Sequence, residues 1–240
     1  RGQDLLLESA TGDRHPGMKM LKTKRRWSFI SGVAGVWLCV ASAAMAQFAS
    51  LEPASTASGY LARLLVNESP FPGERGYLSE DDTKATMLSI LWVLHSRMNH
   101  IPEGYKQEEI AAIRSQNILD VITAKNQCEG FFKDAAGKPA TAPRVEERIR
   151  NLLKIANSGG KPGRFASLLA FGQGLANAYL GSGIPGADRF AGLTIVNQIA
   201  VTGRAYSWMT GKDYYSPGGN FVKIPDAQQG LLGGNRFFTL

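Results

Sequence analysis

Cysteine is almost missing from this chain. Its 240 residues contain two, Cys39 inside an apolar run and Cys128 far downstream. If Cys39 leaves with an export signal, as argued below, Cys128 has no partner and no intramolecular disulfide staples the fold. The core must suffice alone. Histidine is sparse too, with three in the chain: outside the first residues, His95 and His100 have no cysteine or carboxylate at ligand spacing, which argues against a metal site. The motifs G-x-G-x-x-G and G-x-S-x-G are absent, as is a Walker loop, so the obvious nucleotide-binding and α/β-hydrolase readings fall away. No cofactor is expected. Nor does any Lys/Arg cluster interleaved with aromatics follow the apolar run, and nucleic acid is not an expected partner.

Long apolar stretches are also few, and the one present is at the N-terminal side. Lys22, Lys24, Arg25 and Arg26 precede the apolar Trp27 to Ala44, and Ala44-Met45-Ala46 supplies a small-x-small cleavage site. That order predicts a secretory signal over about 20–46, with Gln47 as the first mature residue. The run approaches spanning length, so an uncleaved anchor is the alternative. The cleavage site and the loop-like Gln47 to Ser58 favour removal, leaving no stable membrane anchor. Leu38 before Cys39 is too large for a lipid-attachment box. Arg1 to Gly17 precede a plausible Met18 or Met20 start and are set aside from fold reasoning. The expected destination is the periplasm or the exterior.

The formal charge of +7 overstates the basicity of what remains. Seven basic and three acidic residues lie in 1–46, so the mature part carries +3. That mild excess suits an anionic polymer such as a bacterial wall. About 190 mature residues are ample for one domain with a sizeable core. No internal repeat and no second linker divides them. The expected organisation is therefore a linker over 47–57 and a single domain over 58–240.

Periodicity predicts a mostly α architecture. Ser58 can cap a helix running to about Glu68, with Leu61, Leu64 and Leu65 at helical spacing. Ser79-Glu80-Asp81-Asp82 reads as the start of a second helix, whose stripe of Met87, Ile90, Leu91, Leu94 and Met98 ends before Pro102. Further helices are expected over Gln107 to Ile122, Val145 to Ala156, Phe165 to Leu180 and about Asp188 to Ile199, with Asn126 to Lys133 as a loop. Gly172 and Gly174 either permit close helix contact or weaken their helix. Beyond Tyr214 the Gly/Pro-rich text predicts an irregular tail with one or two short strands, such as Arg236 to Leu240.

Glu68 is the most informative residue. It stands where the apolar stretch Tyr60 to Val66 stops and the turn-forming Ser69-Pro70-Phe71-Pro72-Gly73 begins. A glutamate at the end of a buried helix can be half desolvated, and desolvation raises a carboxyl toward the range useful for general-acid chemistry. The alternative is a solvated helix-end acid paired with Arg63 or Arg97. Arg97, on the neighbouring helix, either pairs with the acid or steers it. Glu80, Asp81 and Asp82 read first as helix N-terminal acids. Cys128 reads as a buried or idle thiol.

The stretch LARLLVNESPFPGERGYLSEDDTKATMLSILWVLHSRM resembles the opening of the SleB/CwlJ-type cell-wall hydrolases. Their domains begin L-A-R-x-[VI]-x-x-E, followed by a Gly/Pro-containing loop and a helix ending in an N-R pair. Leu61-Ala62-Arg63 and Glu68 match the first part, and Ser96-Arg97 stands in place of the second. Val121-Ile122 and Gln127 followed by Phe131 are similar to that family's V-[VI]…Q-F segment. Gly233-Gly234-Asn235-Arg236-Phe237-Phe238 is similar to its closing G-x-H-x-F-[YF] strand, with Asn235 where a His is usual. The likeness covers Tyr60 to about Phe131 and the last residues, and leaves Val145 to Ile199 without a counterpart. It implies a lysozyme-like, α-rich catalytic domain acting on the glycan strands of peptidoglycan, with Glu68 as catalytic acid.

Cleaving the bond between N-acetylmuramic acid and N-acetylglucosamine needs an acid that protonates the departing oxygen while positive charge grows on the sugar. Lysozyme's glutamate in an apolar pocket shows the environment such an acid requires. A hydrolase needs a second carboxylate, for which Glu74 is the first candidate and Glu80 or Asp213 lesser ones. A lytic transglycosylase can work with one. Sugar recognition usually employs flat aromatic faces and carboxamides, and Tyr206, Trp208, Tyr214 and Tyr215 could line a groove with Asn126 and Gln127. Alternatively, Tyr206 and Trp208 are core residues of a final helix turn. Two further readings stay open: a non-catalytic periplasmic wall-binding or scaffold protein, and an antibacterial effector with the same wall-degrading activity.

Overall fold

A computed structural model describes residues 48–160, 163–183, 205–210 and 219–240. The expected helix over Asp188 to Ile199 and the residues Asp213, Tyr214 and Tyr215 lie outside them. The described part is mostly α, with six helices and six short strands.

Helix α1, Ala57–Asn67, is the hub. Every residue from Gly59 to Val66 is buried, Arg63 among them, as a helix with apolar residues on nearly every face must be. It packs against α2 (Glu80–Asn99), α5 (Pro143–Asn157) and α6 (Arg164–Ser182). Its N-cap is Thr56, whose hydroxyl accepts from Gly59 N at 3.0 Å. Ser58, the expected cap, instead donates to Glu52. A cap must precede the turn whose free N–H groups it satisfies, and here Thr56 has that position. At the other end Glu68 is the C-cap, and its N–H returns to Leu64 O. In α6, a Cβ on Gly172 would lie 3.0 Å from Val66 and 3.5 Å from Met87 Sδ, so that glycine lets α6 close on α1 and α2. A Cβ on Gly174 would meet open space, so the neighbouring glycine plays no such part.

Helix α2 begins as expected, with Ser79 Oγ accepting from Asp82 N at 3.0 Å and Glu80, Asp81 and Asp82 in its first turn. The expected helix over Gln107 to Ile122 is two pieces, α3 (Gln107–Ala111) and α4 (Ile118–Thr123). Ala112 takes a left-handed conformation, φ 56. Gln107 bridges the break with both ends of its carboxamide, donating to Ser115 O at 2.6 Å and accepting from Ser115 N at 3.1 Å. Asn117 then caps α4 by accepting from Leu119 N at 2.9 Å. These local side-chain bonds offer the backbone an alternative to helix, and they win. The expected loop Asn126 to Lys133 ends in a strand, β1 (Phe131–Lys133), paired antiparallel with β2 (Pro139–Thr141).

Four strands make the second sheet: β3 (Ser207–Thr210), β4 (Val222–Lys223), β5 (Leu231–Leu232) and β6 (Asn235–Thr239). β6 is central, with β3 on one side and both β4 and β5 on the other. Tyr206 and Trp208 therefore lead into and lie on a strand, not a helix turn. Leu232 faces Asn235 across Gly233-Gly234, and both glycines have positive φ, 48 and 74, as a type I′ hairpin requires. This hairpin meets the loop after α1. A Cβ on Gly76 would fall 2.6 Å from Gly234 Cα. Residues 48–56, expected as linker, are tied down: Asn157 and Ala49 exchange bonds of 2.8 and 3.0 Å, and Glu52 N donates to Gln173 at 2.8 Å. Arg63 Nη1 adds a bond to Glu52 O at 2.6 Å and its Nε reaches Glu146 at 3.1 Å. No described helix is long and apolar enough to cross a membrane.

Candidate functional site

Glu68 is placed by the end of α1 on one side and by the second sheet on the other. Its carbonyl accepts from Asn235 Nδ2 at 2.7 Å, which couples the helix end to the first residue of β6. Asn235 is fully buried, and its own Oδ1 has no partner among the described residues. The Glu68 carboxylate is held by neutral donors. Trp208 Nε1 donates to Oε2 at 3.2 Å, Thr210 Oγ1 to the same oxygen at 3.0 Å, and Asn67 Nδ2 to Oε1 at 3.2 Å. The side chain is half-buried. It lines a cavity of about 550 Å³ together with Asn126, Gln127, Cys128, Trp208 and Thr210. That volume lies within the range of small-molecule sites, roughly 300–1,000 Å³.

Neither arginine expected as a partner takes Glu68. Arg63 goes to Glu146 and to backbone carbonyls. Arg97 is buried, donates from Nε to Tyr206 O at 2.8 Å and from Nη1 to Gln127 Oε1 at 2.9 Å, and stacks over the Trp208 ring at 5.2 Å. Burial pulls its guanidinium down to about 10, so it is still a cation at neutral pH. Arg97 thus orients two cavity walls, the Gln127 carboxamide and the Trp208 indole. Cys128, beside it, is pushed up to about 12 chiefly by burial, and is an inert thiol at neutral pH.

Glu74, the expected second acid, is otherwise engaged. Arg148 grips it with Nε at 3.0 Å and Nη2 at 2.6 Å, and Phe71 N donates to its Oε2 at 2.7 Å. The same arginine donates to Val66 O at 2.8 Å and Ser69 O at 3.0 Å. The pair therefore clamps the loop after α1 to α5. It lines an adjoining cavity, and the paired arginine favours the charged, weakly basic form of Glu74 over the proton-accepting role of a general base. Glu80 is held below the ordinary carboxylate range by Lys84 at 2.7 Å and by the Ser167 hydroxyl, away from the Glu68 cavity.

Among the aromatics, Trp208 reaches the site and Tyr206 does not. Tyr206 is 7% exposed and its hydroxyl donates to His100 O at 2.8 Å, so it is a core residue. Tyr214 falls outside the described residues. Thr210, Asn67 and Arg148 escape the sequence reading, which marks Asn235 only through the family's closing strand and gives it no part at the site. Alternation along Ser207–Thr210 places Trp208 and Thr210 on one face, a signal available only once that segment is known to be a strand. Among the described residues, no group of three or more His, Cys, Asp or Glu is placed to hold a metal. No protein-family model, no curated protein and no solved structure matches this chain.

Proposed function

We propose that this protein is an exported enzyme that cleaves the glycan strands of peptidoglycan, lysozyme-like in fold and of the SleB/CwlJ type, with Glu68 as its general acid. One observation carries the reading. Of the carboxylates along the two adjoining cavities, Glu74 is neutralised by Arg148 and Glu129 by Arg144 at 2.6 Å, whereas Glu68 has no cationic partner among the described residues. A single uncompensated acid, fixed by neutral donors at a cavity wall, suits a group that must give up and regain a proton.

That arrangement favours the one-acid route. Glu68 donates its proton to the glycosidic oxygen as the bond to the muramyl anomeric carbon breaks. The muramyl 6-hydroxyl then attacks that carbon and returns its proton to the Glu68 carboxylate, leaving a 1,6-anhydro end. Trp208 offers a flat face and Gln127 a carboxamide for the N-acetyl sugars. The housekeeping and antibacterial versions of this activity share the same chemistry.

Glu68→Gln keeps the size and most hydrogen bonds of the side chain but cannot supply the proton. Its activity on purified sacculi should fall by about 10²-fold or more, with an unchanged circular-dichroism melt. Turbidity clearing at the wild-type rate would refute the assignment. Mass analysis of products should show 1,6-anhydro ends; reducing ends would point to a hydrolase. One observation favours a non-catalytic reading: Glu68 ties α1 to β3 through Trp208 and Thr210, a structural task in itself. In that case the protein co-sediments with sacculi and releases no soluble muropeptides.

A further inference from the structure

Beside the Glu68 cavity lies a second of about 300 Å³, and the two share Asn67, Arg148 and Thr210. Arg75 lines the second cavity. Arg144 and Arg148 are each engaged with a glutamate, but Arg75 is exposed and forms no ion pair among the described residues. The turn that carries it is held through its neighbours. Glu74 N donates to Phe71 O at 2.9 Å and Tyr77 N to Glu74 O at 3.3 Å, and Phe71 is fully buried. Gly76, next in the chain, is pressed against Gly234. Ser69, in the same cavity wall, is 2% exposed, and its hydroxyl has no hydrogen-bond partner among the described residues. Buried hydroxyls are seldom left unbonded. A cation on an ordered turn, next to a hydroxyl with unused bonding capacity, suits an anionic oxygen.

We infer that this second cavity takes the acid-bearing substituent of the glycan, with Arg75 binding its carboxylate and Ser69 as an auxiliary donor. The inference rests on the peptidoglycan reading above. In that polymer the muramyl unit carries a lactyl ether extended by a peptide, and the carboxylate is supplied by one or the other. A plain N-acetylglucosamine polymer has neither. Arg75 therefore selects substrate by charge, at a subsite adjoining the acid that performs the chemistry. Thr210, which lines both cavities and bonds Glu68, joins the two.

The test is titration calorimetry on the full chain carrying Glu68→Gln, which prevents turnover. Three probes are used: a disaccharide-peptide with free carboxylates, the same molecule with its peptide carboxyls amidated, and the disaccharide with a free lactyl acid and no peptide. Amidation should weaken binding by about tenfold. Adding Arg75→Gln should bring the free-acid probe down to the amidated level and leave the amidated probe unchanged. In the first two probes the lactyl carboxyl is consumed in the amide bond to the peptide, so the third tests the other source: weakening of its binding by Arg75→Gln would show that the free lactyl acid also enters the subsite, and indifference to Arg75→Gln confines the carboxylate to the peptide. If amidation has no effect, or the same effect with and without Arg75, and the third probe is also indifferent to Arg75→Gln, the subsite is refuted while the peptidoglycan reading stands. If none of the three binds, that reading fails as well.

Discussion

Cys128 and Glu68 line the same cavity and are buried to different degrees. The thiol is 7% exposed and pushed up to about 12, so it stays protonated and unreactive where a free cysteine, with its pKa near 8.5, would be partly thiolate. In the folded protein at about pH 8, Cys128 should therefore react with a thiol reagent at least about 100-fold more slowly than in urea. Labelling at the free-thiol rate without denaturant would contradict the burial. Glu68, half-buried, keeps hydrogen-bond donors of its own. Its position was legible from the chain, because the end of an apolar run before a Pro/Gly turn is written in consecutive residues. The donors were not. Trp208 and Thr210 are 140 and 142 residues away, and nothing local marks them as neighbours. Tyr206 misleads for the same reason: composition cannot tell an aromatic facing a cavity from one two residues away whose hydroxyl is anchored on His100.

At the scale of elements, the loop after α1 is fixed by two devices, the Glu74–Arg148 clamp and the contact of Gly76 with Gly234. Gly73 and Gly76 share the same φ of +86, but a Cβ on Gly73 would meet nothing within 4 Å whereas one on Gly76 would meet backbone at 2.6 Å. The pair separates conformational strain from close approach. Gly73→Ala should cost about 1 kcal/mol, the left-handed penalty alone. Gly76→Ala should cost at least about 2 kcal/mol, since an overlap with backbone cannot be relieved by a rotamer change. Urea denaturation of both variants checks this, and equal losses would mean that the hairpin does not press on the loop. On the function proposed above, wall-degrading activity should follow the same order, because Asn235 sits on that hairpin and holds the Glu68 carbonyl. Long apolar stripes made α1, α2, α5 and α6 readable. The short elements were obscured by competing local bonds, such as those of Gln107 and Asn117 that split the expected third helix.

For the whole molecule, the titrating groups with depressed values act in one direction. Burial, and then the neighbouring His100, hold His95 below its ordinary 6.5. Lys133 and Ser115 hold Asp120 below 3.8, and Lys84 and Ser167 hold Glu80 below 4.5. Each binds its proton less readily folded than unfolded, so the unfolded state gains protons first as pH falls. The His95 contribution is complete above the unfolded histidine value and is lost below it; the carboxylate contributions follow at lower pH. The urea midpoint should therefore decline as pH falls through about 6.5, the ordinary histidine value, and His95→Gln should flatten that upper decline while leaving the acid limb in place. A wild-type midpoint that is level through that value would show that His95 titrates normally.

What the chain alone determined is the helical framework and the place of its informative acid. Both follow from residues near one another in sequence, through apolar spacing, caps and turn chemistry. Only the tertiary structure decided which carboxylates are neutralised, since Arg148 reaches Glu74 across 74 residues. It likewise decided which donors hold Glu68, and that β3, paired with β6, walls the cavity beside it. Such pairings are energetic outcomes of packing an α1 that is buried all round. Charge and hydrogen-bond partners are assigned by what packing brings within reach, and that reach is not encoded in spacing along the chain.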